Sequence, residues 1–349
     1  MLTKFRLDSA HDMSRWDAFI DAHPKGTPLH RSGWLKTISE AYALDPWLFV
    51  LEDSSGKVKA LVPFFKMRHL FKGNRLVSLP FSDYCVPLGL NESSVLDMLQ
   101  RILEMSDLDV KGIEIRGYLN NAPGFISYPY YKHHILRLHP DPQEVLKRVD
   151  KRTIKYNIRK ATREGVAIIE DSTQKGMEEF FKLYMLTRKK HGIPSHSKAF
   201  FVALERNIVE KGQASVLLAV HDSRVVAAGI FMNHGRTVYY KYNVSDPARS
   251  VKVVPNHLLT WTAIERGCHR GYEILDFGRT APDNAGLMRY KNMWGAEVEA
   301  LPYICYPAST RPSLSTENGT LYRLAKHIWR HLPESLASKV GPTAMKYLG

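Results

Sequence analysis

The stretch from Asp276 to Gly295, DFGRTAPDNAGLMRYKNMWG, holds the densest run of chemically capable side chains in the sequence. A strand-like run, YEILDFGR, ends in Asp276-Phe277-Gly278-Arg279. A loop rich in proline, asparagine and glycine follows, and Met288-Arg289-Tyr290-Lys291 then leads to Trp294-Gly295. Loops at strand ends are where binding and catalytic residues gather. Arg279 offers a planar fork suited to a carboxylate or phosphate. Lys291 offers a compact cation suited to the oxyanion that develops when a nucleophile attacks a carbonyl. Asp276 could orient or deprotonate an attacking amine, and Tyr290 and Trp294 could shape the pocket wall. The plain alternative puts Trp294 in the core and Lys291 in solvent, and the pattern alone leaves both open.

Other chemistries lack their signatures. The sequence has no G-x-x-x-x-G-K followed by Ser or Thr, no strand-linked G-x-G-x-x-G, no H-E-x-x-H and no G-x-S-x-G. Nucleotide hydrolysis, dinucleotide binding and serine-esterase chemistry therefore lose ground. The three cysteines, Cys85, Cys268 and Cys305, are odd in number and far apart, which argues against a disulfide framework. None has metal-ligand spacing, and Cys268-His269 alone makes no zinc site. No metal is expected. The polar start MLTKFRLDSAHDMSRWD does not read as a signal peptide, and no apolar run reaches membrane-spanning length. A cytoplasmic location is expected.

Positioning such residues takes a scaffold, and the sequence repeats one. Trp47 to Phe65, WLFVLEDSSGKVKALVPFF, has strand, polar turn, strand, and Ala214 to Met232, ASVLLAVHDSRVVAAGIFM, has the same form. A helical stretch follows each: SSVLDMLQRILEM after the first and PNHLLTWTAIERGCHRG after the second. Each then leads to a short strand, KGIEIRG or YEILDFGR. The offset of roughly 160–170 residues is far longer than a solenoid repeat and points to whole-domain duplication. The expected fold class is α/β (α+β): two tandem domains, each a mixed, largely antiparallel sheet flanked by helices.

The 349 residues suit two domains, and the formal net charge of +14 favours polyanions or an anionic membrane surface as partners. The expected division is 1–140, a basic linker helix over 141–165, a second domain over 166–310 and a helical tail over 311–349. Asp141-Pro142-Gln143-Glu144 signals a helix start and Gly165 a stop. Lys151, Lys155, Arg159 and Arg163 recur every fourth residue and would stack on one face, while Val149, Ile154, Ile158 and Ala161 can bury. Like charges so stacked repel, and an anionic ligand would relieve them; a solvated face is the bland explanation. In the basic tail, Leu324, Ile328, Trp329 and Leu332 could form one apolar side, docked on the body or touching an anionic membrane.

The segment from Asp276 resembles the motif near the C-terminus of the Fem aminoacyltransferase family: D-F-G-R, a glycine-containing loop, then F-K-x-x-W/F-G. Here it stands as Asp276-Phe277-Gly278-Arg279 and Tyr290-Lys291-Asn292-Met293-Trp294-Gly295. DKRTIKYNIRKATREGVAI is similar to that family's basic stretch. IWRHLPESLASKVGP resembles a Fem-related subgroup associated with exopolysaccharide and exosortase gene clusters. HRSGWLKTISEAY and SLPFSDYCVPLG match the family's first half loosely. The resemblance implies two tandem GNAT-like domains and transfer of an amino acid from aminoacyl-tRNA to an amine of a peptidoglycan precursor. It implies a role for Lys291 at the reacting carbonyl or the tRNA end, a substrate-side role for Asp83, and a substrate-binding neighbourhood around Trp34 and Lys36. Tyr290 stands in place of the usual phenylalanine. The long coiled-coil arm of some members is missing. Ile38 sits where some members carry a phosphate-binding lysine, which puts a nucleotide-linked acceptor in doubt.

Ordinary GNAT enzymes cradle a pyrophosphate with a glycine-bearing loop and backbone N–H groups. The matching stretch, Ser250 to Pro255, has no glycine, and Pro255 has no N–H. Three readings follow. The leading one is an amide-forming acyl or aminoacyl transferase with no cofactor, using aminoacyl-tRNA or acyl-CoA as co-substrate and a cell-wall or polysaccharide precursor as acceptor. No DNA partner is expected. The second is an acyl-CoA or acyl-carrier N-acyltransferase acting on a surface-polysaccharide amino sugar. The third is a scaffold that only binds a polyanion.

Overall fold

The computed structural model describes residues 1–67, 73–120 and 122–312, and beyond them 326–327, 329–332, 336, 340–341 and 343–345. The chain forms two compact units. The first comprises Met1–Tyr131, Ala300–Leu314 and Met345–Gly349; the second comprises Lys132–Glu299 and Ser315–Ala344.

The first unit runs β1 (Leu2–Phe5), α1 (Ala10–Ala22), α2 (Ser32–Tyr42), β2 (Pro46–Glu52), β3 (Val58–Met67), β4 (Arg75–Ser78), β5 (Leu88–Gly89), α3 (Glu92–Leu103) and β6 (Gly112–Arg116). Asp53 shapes the β2–β3 turn by accepting from the backbone N–H groups of Ser55 and Lys57, and Gly56 supplies a φ of 79°. Asn91 caps α3 by accepting from the Ser94 N–H. The helix buries Val95, Met98, Leu99 and Ile102 against Phe49, Val62 and Phe64 of the sheet.

The second unit repeats this plan. It runs β7 (Ile126–Arg137, entering the unit at Lys132), α4 (Pro142–Arg148), α5 (Tyr156–Arg163), β8 (Ala167–Glu170), α6 (Gln174–His191), α7 (Lys198–Leu204), β9 (Ala214–His221), β10 (Arg224–His234), β11 (Thr237–Ser245), α8 (Ser250–Val253), α9 (Pro255–His269), β12 (Ile274–Thr280) and α10 (Ala285–Met293). The β9–β10 turn places Asp222 and Ser223 at φ 48° and 59°, the backbone twist that two-residue hairpins favour. Leu259, Ala263 and Ile264 of α9 pack with Leu217, Ala227, Leu275 and Trp294 in the core. The final strand, β13 (Glu297–Tyr306), returns to the first unit, where Tyr303 lies opposite Arg116.

The sheets correspond strand for strand. In the first unit the order is β1-β2-β3-β4-β6-β13; in the second it is β8-β9-β10-β11-β12-β7. Each holds one parallel pair, β4 with β6 and β11 with β12, connected through a helix on the way, and the other pairs are antiparallel. This is the mixed, largely antiparallel pattern expected from the duplicated sequence.

The expected boundaries at 140 and 310 are displaced. Strand β7 carries the second unit back to Lys132, and the pairing of β13 with β6 returns Ala300–Leu314 to the first. The segment read as a linker lies inside the second unit and is not one helix. Asp141 caps α4 with Pro142 at its first turn. Asp150 then restarts the chain by accepting from the Thr153 N–H, Lys151–Lys155 form a π-helical turn, and α5 follows. Val149, Ile154 and Ala161 are buried with the α9 core. Leu324 and Ile328 of the tail lie outside the described residues, while the backbone of Lys326 and Gly341 come close to Gly192 and Ser195. Among the described residues no helix is long and apolar enough to cross a membrane.

Candidate active site

In the second unit the site grows from one irregularity. β12 and β7 run antiparallel from Ile274 opposite Arg137 to Thr280 opposite Lys132, with an extra residue on β12 between Asp276 and Gly278. Gly278 takes φ 69°, a left-handed conformation at which glycine meets no steric cost. The Gly278 N–H thereby reaches the Asp276 carboxylate at 2.6 Å, and the carbonyls of Gly278 and Arg279 each accept from Lys291 Nζ at 3.0 Å. Asp276 Oδ1 also meets His133 Nε2 at 2.8 Å. Asp276 and Lys291 are each 3% exposed.

Helix α10 delivers Lys291. Asn284 caps it by accepting from the Leu287 N–H, and Trp294, just past its end, is fully buried in the core. Lys291 is thus not in solvent. Trp294, expected on a pocket wall, instead anchors the helix, because its side chain is wholly enclosed by core residues. The Tyr290 hydroxyl lies 2.9 Å from Thr260 Oγ1 on α9, and burial raises its phenol above the usual range. Tyr240 beside it is raised further, by burial first and by Tyr290 second. Arg279 is half-buried on β12.

Two histidines went unnoticed in the sequence. His133 and His134 are adjacent on β7 and so point to opposite faces. His133 meets Asp276. His134 is fully buried and its protonation falls to about 4, through burial first and then the nearby charge of Lys291. The sequence signal was the doublet in YYKHHILRL, on a strand with no turn residues around it.

In the first unit, Asp83 sits on a loop built under tension. Leu79 and Phe81 take φ 91° and 62°, which side chains beyond glycine rarely adopt. Arg116 clamps the loop through the carbonyls of Leu79 and Ser82, and its guanidinium pairs with the buried carboxylate of Glu114, which also meets Arg75. Trp34 donates from Nε1 to Ser82 Oγ at 2.8 Å, and Tyr303 donates to the Asp83 carbonyl. Trp34 is fully buried and supports the Asp83 loop through its bond to Ser82. Lys36 is half-buried on α2.

The four expected cations do not form a single stack. Lys151 belongs to the π-helical turn, where hydrogen bonds span five residues, whereas Lys155 leads into α5 and Arg159 and Arg163 lie on it. Lys151, Arg159 and Arg163 are exposed, and Arg163 lies 3.7 Å from Glu164. An open depression of about 700 Å³ borders this region and α10, lined by Arg148, Asp150, Met288, Arg289 and Asn292. At the start of α9, the stretch that matches the pyrophosphate loop of ordinary GNAT enzymes forms the short helix α8. The backbone N–H groups of Lys252 and Val254 are bonded to Arg249 and Ser250 carbonyls. Among the described residues no group of His, Cys, Asp and Glu could hold a metal ion.

Residues 148–292 match the acetyltransferase (GNAT) domain family. Over 267 residues the chain is 20% identical to the UDP-N-acetylmuramoylpentapeptide-lysine N(6)-alanyltransferase of Weissella viridescens, covering 68% of this chain and 75% of that protein. The crystal structure of FemX superposes with a TM-score of 0.69 at 15% identity, over 93% of this chain and 100% of that one. The chain resembles Fem-type aminoacyltransferases in sequence and in fold. A tandem GNAT protein from the clavulanic acid biosynthesis pathway shares the fold, with a TM-score of 0.51 at 12% identity over 89% of this chain and 99% of that one. The two units are accordingly tandem GNAT-like domains, and the chain is a transferase of the acyl-transfer kind.

Proposed function

We propose that the chain forms an amide by moving an aminoacyl group from aminoacyl-tRNA to an amine of a cell-wall or cell-surface precursor. The observation that carries this reading is the buried Lys291, held beside the bulged end of β12 by two carbonyls. A fixed cation in a water-poor setting stabilises negative charge far better than one in water. The acceptor nitrogen attacks the ester carbonyl, the C–N bond forms, and Lys291 stabilises the tetrahedral oxyanion. The ester C–O bond then breaks, and the proton lost by nitrogen ends on the departing ribose oxygen. Asp276 orients the groups around this centre through His133, and Arg279 holds an acceptor carboxylate or phosphate. Lys151, Lys155, Arg159 and Arg163, with the depression lined by Arg148 and Arg289, meet donor phosphates.

The precursor named for the Weissella viridescens relative makes a peptidoglycan stem amine one candidate acceptor. A second reading, an acyl-CoA-dependent N-acyltransferase acting on an amino sugar, draws on the acetyltransferase domain match. The occupied N–H groups of α8 weigh against a pyrophosphate held there in the usual GNAT manner. The reaction would take place on the cytoplasmic side, with the acceptor at the membrane face. The test is a mass-spectrometric screen for amide products, pairing aminoacyl-tRNA and acyl-CoA donors with cell-wall and amino-sugar acceptors. Aminoacyl transfer is expected; product from acyl-CoA alone favours the second reading, and salt-sensitive tRNA binding without any product overturns both.

A further inference from the structure

Buried polar atoms without hydrogen-bond partners are rare, and each calls for a physical reason. Both ring nitrogens of His134 and the hydroxyl of Thr280 are buried without one, and these residues are 0% and 2% exposed. They are not scattered. His134 pairs with Gly278 across β7 and β12, and Thr280 lies two residues further on. Directly opposite residues share a sheet face, so both side chains leave the face that carries Leu136 and Leu275 into the core. Lys291 is bonded to the carbonyl of Gly278, the residue opposite His134, and its charge is felt at the imidazole. An apolar side chain would fill this place without stranding two ring nitrogens.

We propose that His134 and Thr280 are substrate-contacting residues of the Lys291 site, taking a neutral group that both donates and accepts hydrogen bonds at the reacting end of the transfer. Such a group is the free-base amine of the acceptor or a ribose hydroxyl of the donor. A neutral imidazole offers one donor and one acceptor, a hydroxyl offers both, and an ammonium such as Lys291 only donates. An ammonium ligand would meet the like charge of Lys291, and a carboxylate or phosphate would face the imidazole lone pair. An uncharged amine or hydroxyl satisfies all three residues. For an amine this matters chemically, because only the free base has a lone pair for attack. The inference rests on the acyl-transfer reading above.

The test uses the full chain with 15N-labelled histidines, the His134 ring signals being assigned by their loss in His134→Gln. Two probes are titrated: glucosamine, and an adenosine carrying a non-hydrolysable 3′-aminoacylamide. The His134 ring signals should move with one probe, which identifies the source of the group. In steady-state kinetics His134→Gln and Thr280→Val should raise KM for that same substrate by about tenfold and leave the other KM within about twofold. His134 signals that move with neither probe overturn the inference, as do variants that shift only Tm, the mark of a buried water at this place. Absence of transfer by the wild type removes the acyl-transfer reading, while the titration still decides whether His134 meets a ligand.

Discussion

Lys291 and Gly278 are bound to each other across an element boundary: the ammonium on α10 donates to the carbonyl on β12 at 3.0 Å, with the Arg279 carbonyl as its second acceptor. The cation therefore has two tasks. It completes the backbone of the bulge and, in the transfer proposed above, is the charge that meets the oxyanion.

Lys291→Ala should lower transfer by at least about a hundredfold, in line with the loss of an oxyanion donor. It should also cost about 1–3 kcal/mol of stability, because two buried carbonyls lose their donor. Lys291→Met keeps the volume and separates the effects: denaturant unfolding and turnover measured on both variants should show equal loss of transfer and less loss of stability in the methionine. Wild-type turnover in Lys291→Met removes Lys291 from the chemistry.

Asp276→Asn keeps an oxygen for the Gly278 N–H but weakens the bond to His133, whose partner is no longer charged. Turnover should fall about 10–100-fold with the melting temperature changed by only a few degrees. Asp276→Ala should instead unfold at clearly lower denaturant. Equal activity of the asparagine variant and wild type would show that the His133–Asp276 pair is structural.

Acid should destabilise the protein through His134. Its folded-state value, about 4, lies below the 6.5 of an ordinary histidine, because burial and then the charge of Lys291 disfavour the proton. Between these values the unfolded chain binds a proton that the folded chain does not, so stability falls as pH drops from 6.5 towards 4. His191, His196 and His257 are also lowered by burial and act in the same direction. Thermal unfolding across this window should show a shallower pH slope in His134→Gln, by about one proton.

The triple variant Lys151→Ala, Lys155→Ala, Arg159→Ala should weaken binding of tRNA and flatten its dependence on salt by about two to three counterions. Its melting temperature should move little, since Ile154 and Ala161, on the buried side, hold the segment. Fluorescence titration at several salt concentrations measures both. An unchanged salt slope would place the donor elsewhere on the surface.

The architecture could be read from the sequence because it rests on local patterns that occur twice. The β2–β3 and β9–β10 hairpins carry turn residues between β-branched runs, and α3 and α9 bury the residues that helical spacing marks. The ends of the units are harder to read, since β7 and β13 are long strands that run on past Pro129 and Pro302 where they pass from one unit to the other. At the site, Asp276 and Lys291 stood out by type and spacing, but their roles depend on the bulge at Gly278, which turns carbonyls towards an ammonium. No periodicity announces that. Trp294 suits a pocket wall or the core equally by type, because aromatic residues serve both purposes, and its burial places it in the core. His133 and His134 were silent because a histidine on a strand is ordinary until its partner, 143 residues away for His133, is known. For the basic segment, fourfold spacing implies one helical face only if the helix is α throughout, and the turn over Lys151–Lys155 is π-helical.

Strand β13 carries a consequence for the order of events at the ribosome. The first unit has β6 at the open side of its sheet until Tyr303–Tyr306 arrive, and those residues are made only after Lys132–Glu299 of the second unit. During synthesis the N-terminal half must wait with an unpaired strand edge, the kind of surface that invites aggregation, whereas the second unit can close its own sheet with β7 as soon as β12 emerges. The sheet begun first is thus the sheet closed last. A chain stopped before residue 300 should yield a second unit whose sheet is closed, attached to a first one that calls on chaperones.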